Sequence, residues 1–133
     1  YMIDLDGFKQ VNDQHGHELG DELLVAVGQR LGAQLRSTDV VARLGGDEFV
    51  VTAGGLADER QARELGLKLV EAFRQPFVLS GQRSCQVGLT IGYVLVPVEG
   101  TDPVSLLRRA DAAMYAGKQG GKGCVRRAET APA

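Results

Sequence analysis

Little in this 133-residue chain points to thiol chemistry, to a membrane or to a bulk polyanion. Its two cysteines, Cys85 and Cys124, form no CxxC pair and stand far apart in apolar, strand-like runs. Buried free thiols in a reducing compartment are expected, not a disulfide or a metal site. The two histidines, His15 and His17, flank Gly16 at a predicted helix break, where a local hydrogen bond accounts for them better than metal ligation. No apolar run approaches the roughly 18 residues of a membrane span, and no basic segment followed by an apolar one opens the chain. A cytoplasmic domain is expected, with a membrane anchor elsewhere in a full-length protein left open. Lys+Arg number 15 against 17 Asp+Glu, for a net charge of -2, so nothing predicts general affinity for nucleic acid and any nucleotide contact must be local. Repeats, low-complexity segments and internal linkers are absent. Tyr1 lies inside a strand-like run, which predicts a further part upstream.

What is present suffices for one domain, because 44% of the residues are apolar and a chain of this length buries a single core. The most informative stretch is Arg43-Leu44-Gly45-Gly46-Asp47-Glu48-Phe49. Apolar residues arrive before it (Val40, Val41, Leu44) and leave after it (Phe49, Val50, Val51), so Gly45-Gly46 reads as a tight turn between two strands. Glycines let the backbone approach a ligand, and the adjacent Asp47 and Glu48 place carboxylates where a divalent cation can be held.

Around that hairpin the elements follow from periodicity and punctuation. Tyr1 to Asp6 is a short strand closed by Gly7, and Phe8 to His15 a short helix with Phe8 and Val11 inward. Leu19, Leu23, Val27, Leu31 and Leu35 draw an apolar stripe on a helix to about Arg36. Strands Val40 to Leu44 and Glu48 to Thr52 follow. Asp58 caps a helix with Ala62, Leu65, Leu69 and Phe73 inward, which Pro76 ends. Phe77-Val78-Leu79 then pairs with a strand from Ser84 to Val96. Asp102-Pro103 starts a helix with Leu106, Leu107, Ala110, Ala113 and Met114 inward. After glycines at 117, 120, 121 and 123 comes a strand from Cys124 to Arg126. A domain spanning 1-127 and a polar tail spanning 128-133 are expected. The order predicts an α+β fold, an antiparallel-rich central sheet with a split βαββαβ core like a polymerase palm, flanked by helices. In that arrangement Asp4 or Asp6 meets Asp47 and Glu48 at one edge.

Clustered acids repel one another unless a cation neutralises them, and Mg²⁺ favours a few carboxylates together with waters and substrate phosphates. A phosphate-bearing substrate is the expectation. Lys118 and Lys122, separated by glycines after a helix, can approach the same phosphates as point charges. Asn12 and Asp21 suit a guanine base, since a carboxylate accepts from its N1 and N2 donors and an amide offers both a donor and an acceptor.

The segments Asp4-Leu5-Asp6-Gly7-Phe8-Lys9, Asn12-Asp13, Gly16-His17, Gly20-Asp21-Glu22-Leu23-Leu24, Arg43 to Phe49, and Ala110-Asp111-Ala112-Ala113-Met114-Tyr115 with Lys118 strongly resemble the GGDEF-domain diguanylate cyclases. The resemblance runs through nearly the whole chain. It implies condensation of two GTP into cyclic di-GMP and two pyrophosphates, by attack of one 3′-hydroxyl on the other α-phosphorus. By that resemblance Asp4, the Leu5 carbonyl, Asp47 and Glu48 hold Mg²⁺ or Mn²⁺, with Gly45 and Gly46 completing the catalytic turn. Asn12 and Asp21 hold guanine, Phe8 and Lys9 line the triphosphate site, and Lys118 and Lys122 bind outer phosphates. Two domains, each with one GTP, meet as a homodimer. Arg36-Ser37-Thr38-Asp39 matches the family's RxxD motif, which implies an inhibitory product site at Arg36 and Asp39. A sensory or regulatory domain is expected upstream, as are the family's first helix and its DxLTxLxNR segment.

The pattern is departed from in three places. Lys122 stands where arginine is usual, Gly117 where alanine is usual, and Thr90-Ile91-Gly92 replaces Ser-Ile-Gly. Arg43 is expected to pair with a nearby carboxylate, and Tyr115 and Met114 to be core. Gln75-Pro76-Phe77 resembles members fused to phosphodiesterases. The alternative to an active cyclase is therefore a silent module that binds GTP or cyclic di-GMP and regulates an attached domain.

Overall fold

The computed structural model describes residues 1–96, 98 and 100–129. Five strands form the main sheet in the order β2-β3-β1-β6-β7, built from β1 (Met2–Asp6), β2 (Val40–Gly45), β3 (Glu48–Thr52), β6 (Gly88–Tyr93) and β7 (Val125–Arg127). A second, two-stranded sheet pairs β4 (Phe77–Leu79) with β5 (Arg83–Cys85). The helices are α1 (Phe8–His15), α2 (His17–Ala33), α3 (Glu59–Ala72) and α4 (Pro103–Gln119). Strand β1 runs antiparallel to both neighbours, and among the described residues only the β6–β7 pair is parallel. This is the palm-like α+β arrangement expected from the order of elements.

Side chains alternate between the faces of a strand, and here that alternation separates core from chemistry. Ile3 and Leu5 of β1, Phe49 and Val51 of β3, and Leu89, Ile91 and Tyr93 of β6 join one large core with Leu23, Val27, Leu31, Ala62 and Leu69 of α2 and α3. The intervening residues look the other way, toward α4. Met2 packs there with Ala110 and Met114, and Val50 lies against them. Asp4, Asp6 and Thr90 occupy the same face one or two positions along.

Local chemistry explains most element ends. Asp58 accepts a hydrogen bond from the Gln61 amide at 3.0 Å, and Asp102 one from Ser105 at 3.1 Å, as N-caps. Helix α2 stops at Ala33 and not near Arg36, because the Gln34 and Leu35 amides donate to Leu31 and Gly32 at 3.1 Å, three residues back, and tighten the last turn. The expected strand from Ser84 to Val96 is two strands in different sheets. The chain changes sheets at Gln86-Val87, where the Gln86 side-chain Nε2 donates to the Phe73 carbonyl at 2.8 Å and Val87 is buried. In α4, Leu107 is 43% and Tyr115 63% exposed, so neither belongs to the core. Each follows a buried residue by one position, about 100° around the helix. The closing strand starts at Val125, one residue later than expected. Ala128 is buried and donates to the Tyr93 carbonyl at 2.8 Å, so the fold extends into the expected polar tail, of which residues 130–133 lie outside the described residues. Cys85 is buried and Cys124 half-buried, both as free thiols.

Helix α4 lies so close to β6 that two unusual residues fit each other. A Cβ at Gly117 would stand 2.8 Å from the Thr90 Cγ2 methyl and 3.0 Å from Cys124 Sγ. Thr90 supplies the methyl that serine lacks, and Gly117 omits the methyl that alanine carries, so the two departures from the family pattern compensate. Gly117→Ala alone is expected to destabilise the fold by ~1–3 kcal/mol through overpacking. With Thr90→Ser in the same chain most of that loss should return, read as non-additivity in urea unfolding; additive effects would contradict the pairing.

Candidate active site

The hairpin between β2 and β3 closes on the pair Gly45 and Glu48, so the two turn residues are Gly46 and Asp47. Gly46 has φ +50 and Gly45 φ +148, and an added Cβ at either would meet nothing within 4 Å. Their glycine character thus serves backbone conformation and open access, not close packing. Arg43 does not pair with a carboxylate here: its Nε donates to the Gly46 carbonyl at 3.0 Å and braces the turn.

Strand pairing brings the acids together. Asp4 lies directly opposite Glu48 on one side and Thr90 on the other, and the Leu5 amide donates to the Asp47 carbonyl at 3.2 Å. Asp4 Oδ1 is buried without a hydrogen-bond partner. Burial pushes the Asp4 carboxyl up to about 6, and the charges of Asp47 and Glu48 push the same way while Lys118 opposes them. An orphaned acceptor among repelling acids, next to the Leu5 carbonyl, is a donor set that fits a hard divalent cation. Among the described residues no three acidic, histidine or cysteine side chains converge as a complete cage. A cation here would therefore draw on Asp4, Asp47, the Leu5 carbonyl and oxygens from a bound phosphate.

Beside the acids, Gly7 takes φ +88 and turns the chain into α1, whose first intrahelical bond is from Val11 to the Gly7 carbonyl. The amides of Phe8 and Lys9 consequently have no acceptor within the helix, which starts two residues after β1 ends, a setting suited to phosphate. Phe8 is buried and acts in the core through its ring, whereas Lys9 is exposed. Asn12 packs over Gly20, where an added Cβ would sit 1.8 Å from Asn12 Oδ1, and that oxygen is also buried without a partner. Asp21 is exposed on the next residue of α2. Gly20, legible in sequence only as a tolerated helix glycine, is what lets the Asn12 amide settle there.

The two lysines differ. Lys118 Nζ lies 2.6 Å from Asp6 Oδ1, 3.0 Å from the Leu5 carbonyl and 3.7 Å from Asp4 Oδ1. Lys122 is exposed on the turn after α4, with φ +65. Asp6, which the sequence left as an alternative to Asp4, lies beyond the last β1–β3 pair and turns instead to Thr90 and Lys118.

Arg36 and Asp39 stand at the opposite end of β2, about 20 Å from the turn at the usual rise of a strand. Asp39 accepts from the Arg36 amide at 2.9 Å and the Gly54 amide at 3.3 Å. Those bonds, the Arg36 amide first, hold its carboxyl below the usual range. The Arg36 guanidinium donates to the Gly54 carbonyl, and its side chain remains 59% exposed. A cavity of about 700 Å³ lies toward the other end of β1 and β3, between Met2, Val50, Leu106 and Ala110, and none of the predicted site residues lines it.

Without divalent cation, Asp4 is expected to titrate near 6, well above the ordinary aspartate value of about 4. The folded state then binds more protons than the unfolded between those values, so Asp4 makes stability fall as pH rises through that window. Carboxyl carbon NMR should show the Asp4 titration lowered in Asp47→Asn and raised further in Lys118→Met. Indifference to both substitutions would refute this electrostatic picture.

Residues 1–124 match the family described as "Diguanylate cyclase, GGDEF domain". Diguanylate cyclase TpbB of Pseudomonas aeruginosa is 42% identical over 128 residues, a stretch covering 96% of this chain and 29% of TpbB. The bifunctional diguanylate cyclase/cyclic di-GMP phosphodiesterase MucR of the same species is 43% identical over 121 residues, covering 91% of this chain and 17% of MucR. The crystal structure of the TpbB GGDEF domain superposes with a TM-score of 0.92 at 41% identity, covering 96% of this chain and 80% of that one. The GGDEF domain of DgcB from Caulobacter crescentus, solved in complex with c-di-GMP, gives 0.76 at 27% identity, covering 95% and 74%. The chain thus spans less than a third of the length of these two curated relatives. On this match of sequence and fold, the chain belongs to the GGDEF-domain family.

Proposed function

We propose that this domain condenses two GTP into cyclic di-GMP and two pyrophosphates. The observation that carries the reading is the buried Asp4 carboxylate oxygen, without a hydrogen-bond partner, set beside Asp47 and Glu48 by the β1–β3 register. In this reading Asp4, the Leu5 carbonyl and Asp47, with Glu48 nearby, hold Mg²⁺ or Mn²⁺. When bound, the cation supplies Lewis-acid activation of the attacking hydroxyl and neutralises charge on the departing pyrophosphate.

The chain's own groups do the positioning. Amides of Phe8 and Lys9 receive phosphate oxygens at the start of α1, and Lys118 and Lys122 add positive charge at the outer phosphates. Asn12 and Asp21 present an amide and a carboxylate to guanine. A bond forms between the 3′-oxygen of one GTP and the α-phosphorus of the other as the bond to pyrophosphate breaks, and a second such transfer closes the ring. Each domain brings one GTP, so two copies must face each other, and orienting the two reactants supplies much of the rate. Arg36, remote from the turn and 59% exposed, serves with Asp39, whose side chain is 3% exposed behind it, as a product site that slows the enzyme. The alternative, a silent nucleotide-binding module acting on an attached domain, shares the same contacts and differs in turnover alone.

The intact full-length protein with GTP and Mg²⁺ or Mn²⁺ should form cyclic di-GMP, detected by mass spectrometry, and Asp47→Ala should cut turnover to below about a hundredth. Arg36→Ala should raise the product concentration for half inhibition about tenfold. A dimeric sample that binds GTP and forms no product would replace the enzyme reading with the binding module. Unchanged inhibition in Arg36→Ala would remove the product site.

A further inference from the structure

The Asp6 carboxylate has three partners from three other parts of the fold. Its carboxylate accepts from Lys118 Nζ at 2.6 Å on Oδ1, and from the Gly123 amide at 3.0 Å on Oδ2. The Thr90 hydroxyl lies 2.8 Å from Oδ1 and 3.0 Å from Oδ2. Thr90 is fully buried, and the Asp6 side chain is 13% exposed. One carboxylate therefore joins the end of β1 to β6, to the last turn of α4 and to the glycine turn before β7.

We infer that Asp6 is a positioning residue, the pivot that aims Lys118 and the Lys122 turn at the outer phosphates of the nucleotide; this rests on the nucleotide site proposed above. An ammonium has three donors. Lys118 spends one on Asp6 and one on the Leu5 carbonyl, and it faces Asp4 Oδ1 at 3.7 Å. The Leu5 carbonyl and Asp4 are also the oxygens that suit a divalent cation, and two cations on one oxygen set repel each other. With a divalent cation on those oxygens Lys118 would leave Leu5 and Asp4, while its Asp6 bond could persist through the exchange. Asp6 keeps the ammonium at the site as its other donors pass to phosphate.

The second half of the pivot concerns the turn. Lys122 adopts φ +65, a conformation unfavourable for a residue with a Cβ, and its amide donates to the Gly117 carbonyl at 3.0 Å. The Asp6 bond to the next amide, Gly123, fixes that conformation and with it the direction from which Lys122 emerges. A neutral asparagine at position 6 offers one acceptor oxygen where the carboxylate offers two, so either Lys118 or Gly123 loses its Asp6 acceptor, confronts an NH₂ group and is left with the Leu5 carbonyl or the Thr90 hydroxyl alone.

The test compares affinity for α,β-methylene-GTP with affinity for GMP, both with Mg²⁺, in the intact protein. Asp6→Asn should reduce the triphosphate-to-monophosphate preference about tenfold, leave GMP binding unchanged and leave cooperative unfolding intact. Lys118→Met should produce a similar loss, and the double variant no further one. Thr90→Val, which removes the hydroxyl that steadies Asp6 and that also accepts from the Gly123 amide at 3.1 Å, should lower the same preference by a smaller factor and serves if Asp6→Asn fails to fold. An unchanged or increased preference in Asp6→Asn, or in Thr90→Val where that variant is the readout, overturns the pivot, as does an equal loss for both nucleotides. A wild-type protein that binds neither nucleotide overturns the nucleotide site and the pivot with it. Normal wild-type binding with indifferent variants overturns the pivot alone.

Discussion

The antiparallel register of β1 against β3 is the constraint on which the site depends. It sets Asp4 opposite Glu48 and joins the Leu5 amide to the Asp47 carbonyl, while Ile3 and Phe49 point together into the core. A slip by one residue would turn Asp4 into that core and bring Ile3 and Leu5 out to α4. Burial of the apolar face therefore fixes the position of the charged one. Acids that repel each other are held together by side chains that have no other place to go.

Helix α4 completes the arrangement from the charged side. Its close approach to β6 depends on Gly92, where a Cβ would stand 2.1 Å from the Ala110 carbonyl, and on Gly117 against the Thr90 methyl. That proximity delivers Lys118 from the last turn of α4 to the end of β1. The lysine offsets the carboxylates without matching them, since Asp4 remains raised despite it. The local charge stays in excess on the negative side, and Arg43 holds the opposing turn steady through the Gly46 carbonyl.

Much of this was legible in sequence because its causes are local. Asp58 and Asp102 announce helix starts through their own side chains, and Gly45-Gly46-Asp47-Glu48 announces a turn with acids. The apolar stripe from Leu19 to Leu31 reads directly as a buried helix face. What escaped depends on partners distant in the chain. The alternation through Gln86-Val87 is continuous as sequence, and only the tertiary fold moves the strand from one sheet to another. Leu107 and Tyr115 match the apolar pattern of α4, yet the sheet covers a narrower strip than the pattern offers. Asp6 could not be separated from Asp4 by spacing, because both share a face of β1; what separates them is that β3 pairing ends at Asp4. Gly117 and Thr90 look like independent departures until α4 is laid against β6. Gly20 likewise gains its meaning only when Asn12 is placed above it.

The central claim is that Asp4, the Leu5 carbonyl and Asp47 form the seat of a divalent cation. Substoichiometric Mn²⁺, added with a non-reactive GTP analogue to carbon-labelled protein, tests it most directly, because paramagnetic broadening falls steeply with distance from the ion. The Asp4 and Asp47 carboxyl and Leu5 carbonyl resonances should broaden first, with those of Asp39 and Asp102 unaffected. Broadening that begins elsewhere and leaves Asp4 and Asp47 sharp would contradict the account.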